Sequence, residues 1–173
     1  MSRLHVCSLA DMPGCVKTLR PDRVITLLQP EWQPETPSEL ATDHHYRVTL
    51  NDITEPSEGQ ILPTRAHVEG LIAFLEDNRD ASLLVHCYAG VSRSTAAALI
   101  AMVLDSPGRE REAARVLRAA AAYAQPNRLI IRHADDILGR KGGLVAALAA
   151  MGTAEAISET PSLLKLPRNM NHV

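Results

Sequence analysis

A cysteine and an arginine, Cys87 and Arg93, stand close together in a short polar stretch of the chain. An ionised thiol is a nucleophile, and a guanidinium group binds two oxygens of a phosphate through parallel hydrogen bonds. The residues between them, 88–92, carry no charge and include Gly90, which can adopt backbone conformations that a Cβ would oppose. The pattern predicts an oxyanion-binding loop with a nucleophile at its base.

The sequence on either side of this loop predicts elements that would hold it rigid. Residues 82–87 are rich in branched aliphatic side chains, which is typical of a buried strand, whereas residues 94–104 are alanine-rich and apolar on all sides, which indicates a buried helix. Ser92 is a candidate N-cap. A strand-to-helix turn directs backbone N–H groups and the positive end of the helix dipole towards one point, where they stabilise both an anion and a thiolate.

The remaining hydrophobic periodicity predicts a single α/β domain, with a central, mainly parallel sheet of four to five strands and flanking helices on both faces. The other predicted strands lie at 3–9, 23–29 and 45–50, and the other predicted helices at 63–79, 109–124, 127–138 and 139–152. Residues 1–152 are assigned to the catalytic domain. Periodicity is lost after Gly152, so residues 153–173 are predicted to form a mobile tail.

Composition limits the choice of partner and compartment. The chain has 173 residues and a formal net charge of −2, which gives no basic surface for nucleic acid. Three cysteines without a C-x-x-C pair indicate a reducing compartment, and the N-terminus lacks the long apolar segment of a secretory signal. We therefore expect a cytoplasmic protein that binds neither nucleic acid nor membrane.

Residues 86–95, with the sequence HCYAGVSRST, resemble the H-C-x5-R-[ST] signature of the cysteine-dependent protein tyrosine phosphatases, in particular the small bacterial and dual-specificity-like members. The resemblance implies that Cys87 forms a phosphocysteine, that Arg93 binds the phosphate, that Ser94 assists departure of the thiolate, and that His86 orders the loop. The backbone amides implied to form the phosphate cradle are those of Tyr88, Ala89, Gly90, Val91, Ser92 and Arg93. No cofactor or metal is implied, and phosphate, sulfate or vanadate is expected to occupy the loop.

The same family places an aspartate on a loop ahead of the signature. Asp52 directly follows the predicted strand at 45–50, and it is predicted to protonate the leaving oxygen and then to activate water. The reserve candidates for this acid are Glu55, Glu58 and Asp43. The candidates for positioning the water are Gln125 and Asn127, of which Asn127 is interpreted as a helix cap.

Other residue types that could do chemistry are interpreted as structural. Trp32 is interpreted as an anchor for its proline-containing loop, with a border of the substrate pocket as the alternative. Cys7 and Cys15 are interpreted as packing residues, and a disulfide between either of them and Cys87 stays open because a sequence gives no distance. The histidines lack the spacing of metal ligands on a shared face, so no metal site is predicted.

The predicted function is metal-independent hydrolysis of a phosphomonoester on a phosphorylated protein or peptide, with phosphotyrosine favoured and dual specificity included. Lipid-directed relatives tend to carry lysines within the loop, and residues 88–92 carry none. The alternatives are a phosphatase of phosphoinositides or RNA 5′ ends, a catalytically silent phosphate-binding module, and a sulfur- or arsenate-handling protein.

Overall fold

A five-stranded sheet crosses the middle of the computed structural model, which describes residues 3–171 and 173. The strands are β1 (Arg3–Cys7), β2 (Arg23–Leu28), β3 (His45–Thr49), β4 (Leu83–His86) and β5 (Leu164–Pro167). Their order is β3-β2-β4-β1-β5, in which the first four are parallel and β5 runs antiparallel to β1. This arrangement confirms the predicted fold class.

Six helices flank this sheet in the described part of the chain: α1 (Met12–Leu19), α2 (Arg65–Asp77), α3 (Arg93–Val103), α4 (Glu110–Ala120), α5 (Arg128–Ile137) and α6 (Gly143–Ala150). Alternate residues of each strand point to opposite faces. Leu83 and Val85 belong to the large core that contains α2 to α6, whereas Leu84 belongs to a smaller core with Met12 and Val16 of α1. Of the helices that the structure describes, none is long and apolar enough to cross a membrane.

Helix α3 is enclosed on every side, as its uniformly apolar sequence predicts. All of its residues, Arg93–Val103, are buried. A helix surrounded in this way cannot shift without disturbing the close-packed core. Its first turn, which carries Arg93 and Ser94, is therefore held in a fixed position relative to β4.

The C-terminal segment differs from the predicted tail, because part of it joins the sheet as β5. Arg168 is buried, and its guanidinium donates to the carbonyl oxygens of Ala101 (3.0 Å) and Leu75 (3.1 Å). Met170 is completely buried. The apolar alternation in β5 extends over only four residues, which is too short to be distinguished from an irregular segment by pattern alone.

Candidate active site

The parallel strands bring distant parts of the sequence to one edge of the sheet, because their carboxyl ends all open there. Gln29 follows β2, Asp52 follows β3, and Cys87 follows β4. A cleft of about 870 Å³ lies at this edge, and its lining includes Asp52, Cys87 and Arg93. The loop residues Tyr88, Ala89, Val91 and Ser92 complete one wall of the cleft.

The thiol of Cys87 lies at the bottom of this cleft, and the residue is only 2% exposed. Its Sγ is 3.1 Å from the hydroxyl oxygen of Ser94, which lies fully buried in the first turn of α3. Either atom can donate in the neutral pair, but only the hydroxyl can donate when the sulfur is ionised. The serine is thus in position to stabilise a thiolate.

Several carbonyl groups of the loop between β4 and α3 accept hydrogen bonds from neighbouring segments. The backbone donors and their acceptor carbonyls are Leu9 to Tyr88 (2.9 Å), Gln125 to Val91 (2.9 Å) and Asn127 to Ser92 (3.2 Å). None of these bonds uses an amide of the loop itself. The loop can therefore keep its amides for an anion while its carbonyl dipoles are held by the surrounding protein.

Gly90 is required by the path of this loop. Its φ of +73° lies in the left-handed region, where a side chain is strained. A Cβ at this position would also lie 2.9 Å from the carbonyl oxygen of Cys7 at the end of β1. The loop thus passes so close to the sheet edge that only glycine fits.

Arg93 is almost completely buried, at 4% exposure. Its Nη1 donates to the side-chain oxygen of Gln29 (2.9 Å) and to the carbonyl oxygen of Leu50 (3.0 Å). Its Nε has no hydrogen-bond partner among residues 3–171 and 173. A buried donor without a partner is costly, so this side of the guanidinium is suited to an anion in the cleft.

Asp52 is fixed in the cleft wall by two donors. The Ser92 hydroxyl (2.7 Å) and the Asn127 side-chain nitrogen (2.9 Å) both donate to its Oδ1. Ser92 occupies the N-cap position of α3, but its hydroxyl is used for this contact and does not cap the helix. Both of these donors bind Oδ1, so neither of them occupies the Oδ2 atom.

Asn127 makes two kinds of contact, of which only the helix cap was predicted from the sequence. Its Oδ1 accepts from the amides of Leu129 and Ile130, so the predicted cap of α5 is confirmed. Its Nδ2 binds Asp52 and also the carbonyl oxygen of Ile53 (3.2 Å). Gln125, the other candidate for positioning water, lines the same cleft.

The reserve acids occupy different places. Glu55 lines the cleft but makes no contact comparable to that between Asp52 and Asn127. Glu58 is exposed and does not line the cleft. Asp43 precedes β3 and therefore lies at the opposite edge of the sheet from the cysteine. Position thus favours Asp52, with Glu55 as the second candidate.

Two exposed aromatic side chains stand beside the loop. The rings of Trp32 and Tyr88 meet edge to face, with centroids 4.8 Å apart. Trp32 is 45% exposed and Tyr88 is 52% exposed, which is high for large aromatic side chains. Tyr88 also lines the cleft, so Trp32 both anchors its own loop against Tyr88 and lies next to the site.

His86 lies completely buried beneath the cysteine. Its Nδ1 is 3.2 Å from the carbonyl oxygen of Cys87, and its Nε2 is 2.6 Å from the hydroxyl of Thr26. Burial lowers the pKa of His86 to about 4; Arg47 and Arg93 act in the same direction, and the bond to Cys87 opposes them. The imidazole is therefore neutral at physiological pH.

The other two cysteines, Cys7 and Cys15, do not line the cleft. Cys7 is buried at the end of β1, and burial raises its pKa well above the ordinary range. Cys15 on α1 is partly buried, and burial raises its pKa as well. All three cysteines are free thiols.

Sequence reasoning missed Gln29, which binds the guanidinium of Arg93. Nothing in its local sequence marks it, because its role depends on the meeting of the end of β2 with the first turn of α3. A glutamine directly after a strand of a parallel sheet was the only available signal.

No protein-family model matches the chain, and no curated protein matches it. Solved structures do match: DUSP15 is 19% identical over 87% of this chain and 89% of that chain, with a TM-score of 0.58. A mouse putative dual specificity phosphatase complexed with zinc tungstate is 21% identical over 83% of this chain and 86% of that chain, with a TM-score of 0.57. PTPMT1 in complex with PI(5)P is 15% identical over 79% of this chain and 91% of that chain, with a TM-score of 0.56. The likeness shows that the chain has the fold of these phosphatases.

Proposed function

We propose that this chain, which shares the fold of dual-specificity phosphatases, hydrolyses phosphomonoesters through a phosphocysteine formed on Cys87. One observation carries the proposal. Cys87, Arg93 and Asp52 line one cleft: the thiol is buried, the guanidinium Nε has no hydrogen-bond partner among the residues that the structure describes, and Asn127 holds the carboxylate. Nucleophile, anion-binding group and proton carrier are what a two-step phosphoryl transfer needs.

In the first step, the Cys87 thiolate attacks phosphorus and the bond from phosphorus to the ester oxygen breaks. Asp52 gives its proton to that oxygen, which leaves as an alcohol or phenol. The free side of the Arg93 guanidinium and the loop amides bind the equatorial oxygens, where negative charge is spread in the transition state. Gln29 and Leu50 hold the guanidinium in the required orientation through Nη1.

In the second step, water attacks the phosphocysteine and the sulfur–phosphorus bond breaks. Asp52, now ionised, accepts a proton from the water. The Ser94 hydroxyl donates to the departing thiolate across the 3.1 Å contact. Gln125 on the cleft wall is the candidate for orienting the water, whereas Asn127 keeps the carboxylate in place.

Replacing Asp52 by asparagine is expected to lower kcat for a phosphotyrosine peptide by roughly 10²–10⁴-fold, the range typical of a general acid. Asparagine keeps the size of the side chain but carries no transferable proton. The first step should be affected much less with 4-nitrophenyl phosphate, since nitrophenolate leaves readily without protonation. The measurement is the pre-steady-state rate of leaving-group release for both substrates.

The matched control is Glu55→Gln, which makes the same change at the other acid lining the cleft. It is expected to leave both rates unchanged. A large loss with Glu55→Gln and none with Asp52→Asn would move the general-acid role to Glu55.

We propose phosphotyrosine as the preferred substrate. Tyr88 and Trp32 present exposed aromatic surface at the rim of the cleft, and such surface packs well against a phenyl ring. The loop positions between Cys87 and Arg93 carry no charged side chain that would bind a second phosphate.

A second candidate is a phosphoinositide phosphatase. Arg128 lines the cleft, and its Nη2 lies 3.3 Å from the hydroxyl of Thr54, which leaves its charge available to another anionic group. The similarity in fold to PTPMT1, whose structure was determined with PI(5)P, is consistent with this alternative.

A substrate panel separates these candidates. We expect phosphotyrosine peptides to be hydrolysed with higher kcat/KM than phosphothreonine peptides, phosphoinositides or 5′-phosphorylated RNA. Activity should require a reductant, because the thiolate must stay reduced, and it should persist in EDTA. Highest kcat/KM on a phosphoinositide would favour the second candidate, whereas turnover of thiosulfate and cyanide or of arsenate without any phosphatase activity would overturn both.

A further inference from the structure

A chain of hydrogen-bonded side chains runs beneath the sheet edge and ends at the cysteine. Its members, from the outside inwards, are Arg47, Thr36, His45, Thr26 and His86. The successive distances are 3.0 Å (Arg47 Nη2 to Thr36 Oγ1), 2.9 Å (Thr36 Oγ1 to His45 Nδ1), 2.7 Å (His45 Nε2 to Thr26 Oγ1) and 2.6 Å (Thr26 Oγ1 to His86 Nε2). The last contact, 3.2 Å, joins His86 Nδ1 to the Cys87 carbonyl oxygen.

Strand register explains why these residues meet. Thr26 on β2 is paired with His86 on β4 and with Arg47 on β3, and His45 is two residues before Arg47. Thr26 and His86 are adjacent along their strands to Leu27 and Val85, and Arg47 is adjacent to Val48. Because those three apolar residues face the large core, the hydrogen-bonded residues lie on the opposite face of the sheet. Thr26, His45 and His86 are buried there.

The direction of every bond in this chain follows from its two ends. A carbonyl oxygen only accepts, so His86 carries its proton on Nδ1 and its Nε2 must accept from Thr26. The single hydroxyl proton of Thr26 is then used, and its oxygen accepts from Nε2–H of His45. The free Nδ1 of His45 accepts from Thr36, whose oxygen in turn accepts from Arg47, which can only donate.

Both histidines are neutral, as this assignment requires. Burial, together with Arg47 and His86, lowers the pKa of His45 to about 4, and the pKa of His86 is also about 4. Other charged or titratable groups near Cys87 and His86 include Arg93 from α3, Asp52 from the loop after β3 and Cys7 from β1. None of these three groups is part of the hydrogen-bonded series from Arg47 to His86.

We propose that this one-directional chain fixes His86 as the Nδ1–H tautomer and polarises the peptide group between Cys87 and Tyr88, which makes Thr26 and His45 positioning residues for the phosphate loop. The carbonyl of Cys87 and the amide of Tyr88 belong to one peptide group. A donor on the carbonyl therefore strengthens the amide as a donor. That amide is the first one of the loop, so the hydrogen-bonded side chains add to the electrostatic field that stabilises the thiolate and a bound anion.

The inference rests on the proposed function only in treating Cys87 as the reactive thiol. The first test uses the unmodified protein labelled with ¹⁵N-histidine, because imidazole nitrogen shifts distinguish a protonated from an unprotonated nitrogen. We expect a proton on Nδ1 of His86 and on Nε2 of His45 at neutral pH. A proton on Nε2 of His86, or an imidazolium at either residue, would overturn the proposal.

The second test compares Thr26→Val, which keeps the shape but lacks the hydroxyl, with Thr26→Ser, which keeps the hydroxyl. The readout is the rate of Cys87 alkylation by iodoacetamide, located by peptide mass spectrometry, at about pH 6 divided by that at about pH 8.5. We expect Thr26→Val to lower this ratio roughly three- to tenfold, as for the loss of one hydrogen bond, and Thr26→Ser to restore it. Both variants are also followed by thermal unfolding.

A merely structural role for Thr26 would lower the melting temperature of Thr26→Val without changing the ratio, and that outcome would overturn the proposal. If Thr26→Val does not fold, the tautomer measurement on the unmodified protein decides whether the proposal holds. Alkylation requires no phosphatase turnover. If the protein hydrolyses no phosphomonoester but shows the expected tautomers and alkylation ratios, the result would contradict the proposed function. It would still support the proposed role of the hydrogen-bonded side chains.

Discussion

Replacing Cys87 by serine is expected to abolish turnover of aryl phosphates, with kcat falling by about 10⁴-fold or more, as for other nucleophile knockouts. Serine is nearly isosteric, and the 2% exposure of this position leaves little room for rearrangement. An alcohol ionises far less readily than a thiol, and among the described residues the side chain that hydrogen-bonds to the nucleophile is the Ser94 hydroxyl, which is not a general base. The serine would therefore remain a weak nucleophile.

Two measurements accompany this change. Acid quenching of the unmodified enzyme during turnover should trap a phosphoprotein whose phosphate maps to Cys87, and the serine variant should trap none. The variant should still be stabilised against thermal unfolding by phosphate or tungstate, because Arg93 and the loop amides are unchanged.

The matched control is Cys15→Ser, the same substitution on α1. The Cys15 thiol contacts the carbonyl of Ser162 at 3.6 Å and does not line the cleft, so activity should be unchanged. Equal rates for Cys87→Ser and the unmodified protein would rule out the phosphocysteine mechanism. A protein that binds phosphate but never forms a phosphoenzyme would be the catalytically silent module.

Replacing Arg93 by lysine is expected to lower kcat by roughly 10²–10³-fold, the loss typical of removing one donor to the charge of a transition state. Lysine keeps the positive charge, but its single ammonium cannot bind two phosphate oxygens side by side while also reaching Gln29 and Leu50. Binding of phosphate should weaken as well. The measurements are steady-state kinetics with 4-nitrophenyl phosphate and phosphate inhibition constants.

Arg128→Lys is the matched control for Arg93→Lys. Arg128 lines the same cleft but is exposed, and within residues 3–171 and 173 its side chain makes one hydrogen bond, at 3.3 Å to the hydroxyl of Thr54. The control should retain nearly full activity on a monophosphate. If both variants lose activity equally, the two parallel donors of the Arg93 guanidinium have no special role in catalysis. Circular dichroism of both proteins tests whether a loss of activity reflects unfolding.

Local sequence was sufficient to predict features that depend on a single helix or strand. The predicted strand at 82–87 and the predicted helix from Ser92 correspond to β4 and α3, since aliphatic runs and alanine-rich runs differ in period and propensity. Asn127 was identified as a cap from its type and its place before an amphipathic segment. β5 was missed because four residues give too little alternation.

The sequence ranked Asp52 first among the nearby acids because it directly follows a predicted strand, but residue type gave no further support for that choice. Asp52, Glu55 and Glu58 lie on one loop and differ little as residue types. What distinguishes Asp52 is a contact with Asn127, which is 75 residues further along the chain. Such a contact depends on how α5 packs near the ends of β3 and β4, which no local pattern encodes.

The sequence by itself determined the loop: a strand that ends at Cys87, a glycine that is free to adopt a left-handed backbone conformation, and a buried helix that begins at Arg93. These features are local, because backbone sterics, propensity and hydrophobic period act over a few residues. Only the tertiary structure decided what surrounds the loop, namely Gln29 on Arg93, Asn127 on Asp52, and Thr26 with His45 behind His86. Those contacts join residues far apart in the chain, and they form only when strand order, strand register and the packing of α5 bring these residues within hydrogen-bonding distance.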